Sequence, residues 1–127
     1  MADAPLTLHR QEDDVVVVEL RGDHDLSTAA GLRDQLTELV EGGSSVVVEL
    51  GLVSFMDSTV LGALLGGLRR ARERGQDFAL VVATDTEPAV RRVFELTGLF
   101  RAFPVYATRE DALRVTRESR TNATPDA

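Results

Sequence analysis

Two short polar segments carry the side chains that could do chemistry in this chain. The first is Asp57-Ser-Thr59, two hydroxyls behind a carboxylate, and the second is Asp23-His-Asp25, followed closely by Ser27. Each segment comes after a valine-rich stretch typical of a buried strand. Because sites in open α/β sheets form at the carboxyl ends of strands, we expect both segments at one edge of a sheet.

Ser58 supports two interpretations, because it stands where a helix is predicted to begin. As an N-cap, its oxygen would accept a hydrogen bond from a free backbone N–H and stabilise the helix by about 1 kcal/mol. As a phosphoacceptor, it would gain roughly −1.5 to −2 charge units, which a helix N-terminus tolerates. Thr59 is a second hydroxyl that could take the phosphate. The residues alone leave these interpretations open.

The carboxylates of Asp23, Asp25 and Asp57 allow another interpretation, a Mg²⁺ site with phospho-aspartate chemistry at Asp57. Response-regulator receivers use such a site with a lysine near the last strand, whereas all 14 basic residues here are arginine. Solvated loop carboxylates and a loop position for His24 are the simpler expectation. The chain has no cysteine and no Gly-x-Ser-x-Gly motif, which excludes thiolate catalysis and argues against serine hydrolysis. We expect no catalytic residue, no metal and no cofactor.

Composition limits the possible partners. The 127 residues fit one domain, and 43% hydrophobic with 28% charged residues is typical of a globular protein. The net charge of −7 disfavours nucleic acid and anionic membranes. The start, Met1–Pro5, is acidic and lacks the apolar core of a signal peptide, so we expect a cytoplasmic protein.

Alternating strand and helix patterns must position the two polar segments. Loops are predicted at 21–25 and 51–57. The predicted strands are Leu6–Arg10, Val15–Leu20, Ser45–Leu50, Phe78–Ala83 and an edge strand at Phe103–Ala107, which contains Pro104. The predicted helices run from a cap at Ser27 or Thr28 to Gly42, from Ser58 to Arg74, from Pro88 to Gly98, and from Thr108 to Arg117.

This order, ββαβαβαβα, predicts an α/β domain with a mixed, mostly parallel sheet packed with helices. We expect the domain to span residues 1–118, with its core at about 6–117, and residues 119–127 to form a disordered tail.

The predicted second helix has a face with almost no side chains. At 100° per residue, Ser58, Gly62 and Gly66 share one stripe, and Thr59 and Gly67 lie further round. Each glycine costs roughly 1 kcal/mol relative to alanine in a helix interior. Two explanations remain open, which are close packing within the fold and a flat docking face for a partner.

Four segments resemble the STAS domain family, and most closely the bacterial anti-sigma factor antagonists. They are Val16–Ser27, Val46–Leu50, Val53–Gly62, which includes Phe-Met-Asp-Ser-Thr, and Val90–Phe100. The resemblance covers about residues 6–117. One departure is Val60, which stands where family members usually carry glycine.

The resemblance implies a regulatory switch rather than an enzyme. The unphosphorylated protein would bind an anti-sigma factor that is also a serine kinase, and so release a sigma factor. Phosphorylation of the matching serine, Ser58, would separate the partners, and a serine phosphatase would reset the cycle. The segment Gly22–Ser27 matches the part that helps dock the kinase. The expected partner-binding residues are Asp23, His24, Asp25, Ser27, Met56, Asp57, Thr59, Gly62 and Gly66. A constitutive interaction module without a phosphate switch is the alternative.

Overall fold

A computed structural model describes residues 4–122 of the chain. A five-stranded sheet has the order β1-β2-β3-β4-β5, in which β1 pairs antiparallel with β2 and the remaining pairs are parallel. The predicted α/β class and mixed sheet are confirmed. The elements are β1 (Leu6–Arg10), β2 (Val15–His24), α1 (Leu26–Glu41), β3 (Ser45–Met56), α2 (Ser58–Glu73), β4 (Phe78–Val81), α3 (Pro88–Thr97), a 3₁₀ turn (Leu99–Arg101), β5 (Val105–Tyr106) and α4 (Arg109–Asn122).

Strands β2 and β3 run well past their predicted ends. The predicted loops at 21–25 and 51–57 are mostly strand, because β2 and β3 keep pairing as far as His24 and Met56. The pairing passes two irregularities, one of them beside Gly22 at φ +74°, a conformation that glycine adopts without strain. The sequence pattern missed this extension because the bulges break the simple alternation of apolar and polar residues. β4 and β5 are shorter than predicted, and β5 is the edge strand that Pro104 indicated.

The sheet buries a different set of side chains on each face. Alternate residues of β2 and β3, such as Val16, Val18, Val46 and Val48, pack with α1, α2 and α3 into the main core. The residues between them form a smaller cluster with Ala112 of α4 on the other face. This two-sided burial explains why the central strands are runs of valine.

Helix α4 is also held against the sheet by ion pairs. Arg109, at its first position, donates to the Glu49 carboxylate at 2.7 Å and to the Glu19 carboxylate at 3.0 Å. Glu19 and Glu49 continue the sheet face that carries the smaller cluster, so Arg109 neutralises carboxylates that α4 partly covers.

The last helix is longer than predicted. It ends at Asn122 rather than near Arg117, so residues 119–122 are helical and not part of a tail. Residues 123–127 lie outside the described residues, and for them the tail stays a prediction. No helix within residues 4–122 combines the length and apolar character needed to cross a bilayer.

Candidate functional site

The two polar segments meet at the carboxyl edge of the sheet, as expected. His24 and Met56 are register partners at the ends of β2 and β3, and an aspartate follows each of them. Asp25 immediately precedes α1, and Asp57 immediately precedes α2. The site is therefore a pair of neighbouring helix N-termini.

At the start of α2, the cap is Asp57 and not Ser58. The Asp57 carboxylate accepts hydrogen bonds from the backbone N–H of Thr59 at 3.0 Å and of Val60 at 3.3 Å. The Thr59 hydroxyl also donates to this carboxylate. The N-cap interpretation of Ser58 is therefore wrong, since Ser58 is the first helical residue. Its side chain is exposed, and its hydroxyl makes no hydrogen bond with residues 4–122.

The start of α1 repeats this arrangement. The Asp25 carboxylate accepts from the Ser27 backbone N–H at 2.9 Å and from the Ser27 hydroxyl at 2.6 Å. The Thr28 hydroxyl accepts from the Asp25 backbone N–H at 3.1 Å, which completes a capping box. The prediction that Ser27 or Thr28 is the cap is corrected to Asp25. A carboxylate satisfies the first N–H groups as well as a hydroxyl does, and here it also accepts from the Ser27 hydroxyl, whereas the Thr28 hydroxyl bonds to the Asp25 backbone.

These hydrogen bonds keep the two carboxylates ionised. The Thr59 hydroxyl, helped by the N–H groups of Val60, Thr59 and Leu26, holds the pKa of Asp57 below its ordinary value. The Ser27 hydroxyl and N–H do the same for the pKa of Asp25, although the nearby charge of Asp57 opposes the shift.

Two of the predicted partner-binding residues lie under the surface. His24 is 2% exposed and Met56 is 1% exposed, so neither side chain is available to a partner in this conformation. His24 is a buried strand residue, which corrects its predicted loop position. We assign both residues a supporting role beneath the edge. Asp23 and Ser27 are exposed, and Asp25, Asp57 and Thr59 are partly exposed.

The glycines of α2 were attributed either to close packing within the fold or to a docking face, and the structure separates them. A Cβ at Gly67 would lie 2.7 Å from the Phe78 ring, so close packing accounts for this glycine. Gly62 and Gly66 are exposed, and a Cβ at either would meet nothing within 4 Å. Packing within the fold therefore does not explain Gly62 and Gly66, and a bare surface runs from Ser58 along the helix.

Sequence reasoning missed two apolar residues at this edge. Leu26 is 73% exposed at the first position of α1, and Phe55 is 47% exposed next to the end of β3. Exposed large apolar side chains beside a polar site mark contact surfaces when they cluster. The available signals were Leu26 between the polar residues Asp25 and Ser27, and an aromatic residue, Phe55, in a segment predicted as a loop.

The Mg²⁺ interpretation finds no support in this geometry. Within residues 4–122, no three His, Asp or Glu side chains are grouped closely enough to hold a metal ion. The Asp57 carboxylate, on which this interpretation depends, already uses Oδ1 for the three hydrogen bonds that start α2.

A model of the STAS domain family matches residues 8–112. The chain belongs to this family. The resemblance found in the sequence is thereby confirmed, and the matched range contains both helix N-termini of the site.

Similar proteins carry consistent names. This STAS domain is 32% identical to an anti-sigma F factor antagonist of Paenibacillus polymyxa over 101 residues, which is 78% of this chain and 84% of the relative. A crystal structure of an anti-sigma factor antagonist from Mycobacterium paratuberculosis matches with a TM-score of 0.77 and 32% identity, covering 91% of this chain and 99% of that one. The Bacillus cell fate determinant SpoIIAA, solved in its phosphorylated form, matches at 25% identity with a TM-score of 0.67, covering 86% of this chain and 96% of that one.

Proposed function

We propose that this STAS domain is an anti-sigma factor antagonist whose binding is switched by phosphorylation of Ser58. In its unphosphorylated form it binds an anti-sigma factor that is also a serine kinase, and a sigma factor is released. A serine phosphatase restores the binding form. The relatives named as anti-sigma factor antagonists, together with a phosphorylated structural neighbour, support this proposal.

The observation that carries the proposal is that the Ser58 hydroxyl makes no hydrogen bond with residues 4–122. Ser58 is exposed and uncommitted, whereas the neighbouring Thr59 hydroxyl is bound to the Asp57 carboxylate. A kinase base can therefore take the Ser58 proton while Oγ attacks the γ-phosphorus of ATP. The new Oγ–P bond replaces the bond to the leaving ADP. Phosphorylation of Thr59 would first have to release its hydroxyl from the Asp57 carboxylate, so we place the phosphate on Ser58.

Phosphate at Ser58 would block binding through its charge and would leave the fold intact. No side chain packs over Ser58, so the phosphate extends into solvent. It adds roughly −1.5 to −2 charge units beside Asp57 and Asp25, whose lowered pKa values keep both negative. A partner surface that fits closely around a neutral serine has no opposite charge facing the added group, and burying an unpaired charge there costs several kcal/mol.

The docking surface that we propose surrounds Ser58. It consists of Asp23, Asp25, Ser27, Asp57 and Thr59, the bare stripe of Gly62 and Gly66, and the apolar side chains of Leu26 and Phe55. The charged residues would orient the partner, and the two apolar residues would provide the buried contact area. We further propose that the protein acts in the cytoplasm, where sigma factors and their kinases operate.

The experiment compares Ser58→Asp with Ser58→Ala in binding to a purified anti-sigma factor kinase from the same organism. Misplaced charge in an interface costs several kcal/mol, so Ser58→Asp should weaken binding by at least about 100-fold. Ser58→Ala should bind within about threefold of wild type, since the hydroxyl makes no internal hydrogen bond that the fold needs. Both variants should melt within about 2 °C of wild type.

A matched control is Ser44→Asp, which adds the same charge at a partly exposed position just before β3, at the opposite edge of the sheet. It should bind like wild type. Equal binding by Ser58→Asp and wild type would contradict the switch and favour the constitutive interaction module. Weakened binding by Ser44→Asp as well would show a general charge effect instead of a site at Ser58.

A further inference from the structure

The sheet face that carries α4 is only partly covered. Arg109, the first residue of α4, binds the carboxylates of Glu19 and Glu49, and Ala112 packs on the valines that precede them in β2 and β3. The helix therefore runs from the middle of these strands toward their starts. Both strands continue to pair past the two carboxylates, so their ends lie beyond the start of α4.

Two apolar side chains of β3 are exposed on this uncovered part of the face. Leu52 is 45% exposed and Phe55 is 47% exposed. Each directly precedes a residue of the main core, Val53 and Met56, so each points to the opposite face of the sheet. Leu52 also lines a depression with Arg109, which places it next to the start of α4. The two side chains form an apolar patch that residues 4–122 leave open to solvent.

Two opposite charges lie beside this apolar pair on β2. Arg21 is the register partner of Leu52, and Asp23 is the register partner of Phe55. The Arg21 side chain binds Glu19 at 2.8 Å, which fixes it on the α4 side of the sheet. Asp23 is exposed and directly precedes the buried last residue of β2, so it points to the same side. We call the four residues Arg21, Asp23, Leu52 and Phe55 the overhang patch.

The overhang patch is complementary to itself. When two copies face each other with their strands antiparallel, Arg21 of each copy meets Asp23 of the other, and Leu52 meets Phe55. One two-fold axis therefore pairs both charges and covers both apolar side chains, as in the isologous interfaces of symmetric dimers. A guanidinium has five N–H donors, so Arg21 can bind Glu19 and a carboxylate of the other copy together. The second sheet also fits beside α4, because facing sheets lie about 10 Å apart and a helix is about as thick.

We propose that the overhang patch binds the overhang patch of a second copy of this chain, which forms a symmetric dimer. A purely acidic or purely basic partner would leave Asp23 or Arg21 unpaired, whereas a second copy pairs both. Asp23 and Phe55 also belong to the docking surface proposed around Ser58, so the dimer and the kinase complex would exclude each other. The dimer itself does not depend on phosphorylation, and its test needs no kinase.

The test is sedimentation equilibrium of the full chain at about 0.15 M salt, which screens the repulsion between two copies of net charge −7. Wild type should form a reversible dimer with a Kd below about 1 mM. Leu52→Asp should weaken this dimer at least about tenfold, because it sets a carboxylate against the Phe55 ring of the other copy. Leu96→Asp, which adds the same charge on the exposed side of α3, should dimerise like wild type.

A charge exchange tests the predicted pairing. Asp23→Arg places two arginines opposite each other and should weaken the dimer at least about tenfold, and adding Arg21→Asp in the same chain should restore it. Thermal melting first checks that the double variant folds, since Arg21 also binds Glu19; the Leu52→Asp comparison stands without it.

Four results would overturn the proposal. They are a wild type that stays monomeric up to about 1 mM, a Leu52→Asp dimer as tight as that of wild type, and no recovery in a folded double variant. The fourth is a monomeric wild type whose Leu52→Asp variant binds the kinase more weakly, which would assign the overhang patch to the kinase.

Discussion

The N-termini of α1 and α2 are built alike and differ chiefly in the residue that follows the cap. Each begins with an aspartate cap, and each has a hydroxyl two residues later that donates to the cap, Ser27 in α1 and Thr59 in α2. The position between them is Leu26 in α1 and Ser58 in α2. Capping therefore uses the outer two residues of each triplet and leaves the middle side chain free for another role.

The difference shows how to distinguish a structural hydroxyl from a reactive one. Ser27 and Thr59 hold carboxylates in place, and their protons are engaged. Ser58 faces solvent at a helix N-terminus, where the backbone N–H groups favour added negative charge. At the matching position, Leu26 offers apolar contact instead. We infer that the two ends serve one partner, α1 by contact and α2 by modification.

The largest expected change in stability distinguishes the buried side of α2 at Gly67 from its exposed side at Gly62. Gly67→Ala should destabilise the fold by about 1–3 kcal/mol, because its Cβ would lie 2.7 Å from the buried Phe78 ring. Gly62→Ala, on the Ser58 stripe, should stabilise it by up to about 1 kcal/mol. Urea unfolding measures both. If Gly62→Ala proved as destabilising as Gly67→Ala, the bare stripe would be a packing surface.

Replacing the middle residue of the α1 triplet tests its contact role. Leu26→Ser should weaken binding to the anti-sigma factor kinase by about tenfold, because an apolar anchor is lost. Its free energy of unfolding should change by no more than about 0.5 kcal/mol, since Leu26 is 73% exposed. Leu96, 80% exposed on α3, provides the matched control Leu96→Ser, which should bind normally. Unchanged binding in Leu26→Ser would remove α1 from the proposed surface.

The caps should behave alike in the two helices. Asp57→Ala and Asp25→Ala should each lower the melting temperature by about 4 °C, because three donors at Asp57 and two at Asp25 lose their acceptor. Asp57→Asn should recover most of the loss, since asparagine caps helices equally well. A melting temperature for Asp57→Ala equal to that of wild type would contradict the assignment of the cap.

The smallest effect concerns acid stability. Because folding lowers the pKa of Asp57, its ionised carboxylate stabilises the fold above the unfolded pKa of about 4. That contribution is lost as the pH falls through the lower folded-state pKa. Thr59→Val removes the main cause of the shift, so the pKa of Asp57 should rise toward its ordinary value, as measured by NMR titration. Ser27→Ala should raise the pKa of Asp25 toward its ordinary value and leave the pKa of Asp57 nearly unaltered.

The sequence predicted the fold well where burial sets the pattern. The α1 core residues Ala29, Leu32, Leu36, Leu39 and Val40 are the buried ones, because helical spacing fixes the face that packs. The ends of β2 and β3 were predicted too short, because their pairing continues through bulges and polar residues that carry no local signal. Their meeting at one edge was predictable, since it follows from parallel topology alone.

The site was predicted less completely, because the roles of its residues depend on contacts. Nothing in Asp57-Ser-Thr59 shows which residue caps the helix, and only the hydrogen bonds place the carboxylate there. The burial of His24 depends equally on the extended β2 strand. Val60 stands where family members usually carry glycine. Its side chain is fully buried in the core, so it anchors α2.

The most direct test of the account is phosphate transfer from ATP by the purified anti-sigma factor kinase, with the modified residue mapped by mass spectrometry. Wild type and Thr59→Val should be phosphorylated on Ser58, and Ser58→Ala should take up no phosphate. The modified wild type should keep its melting temperature and lose the kinase. Phosphate on Thr59 or Ser27 in Ser58→Ala, at a rate close to that of wild type, would contradict the claim that capping leaves only Ser58 free to react.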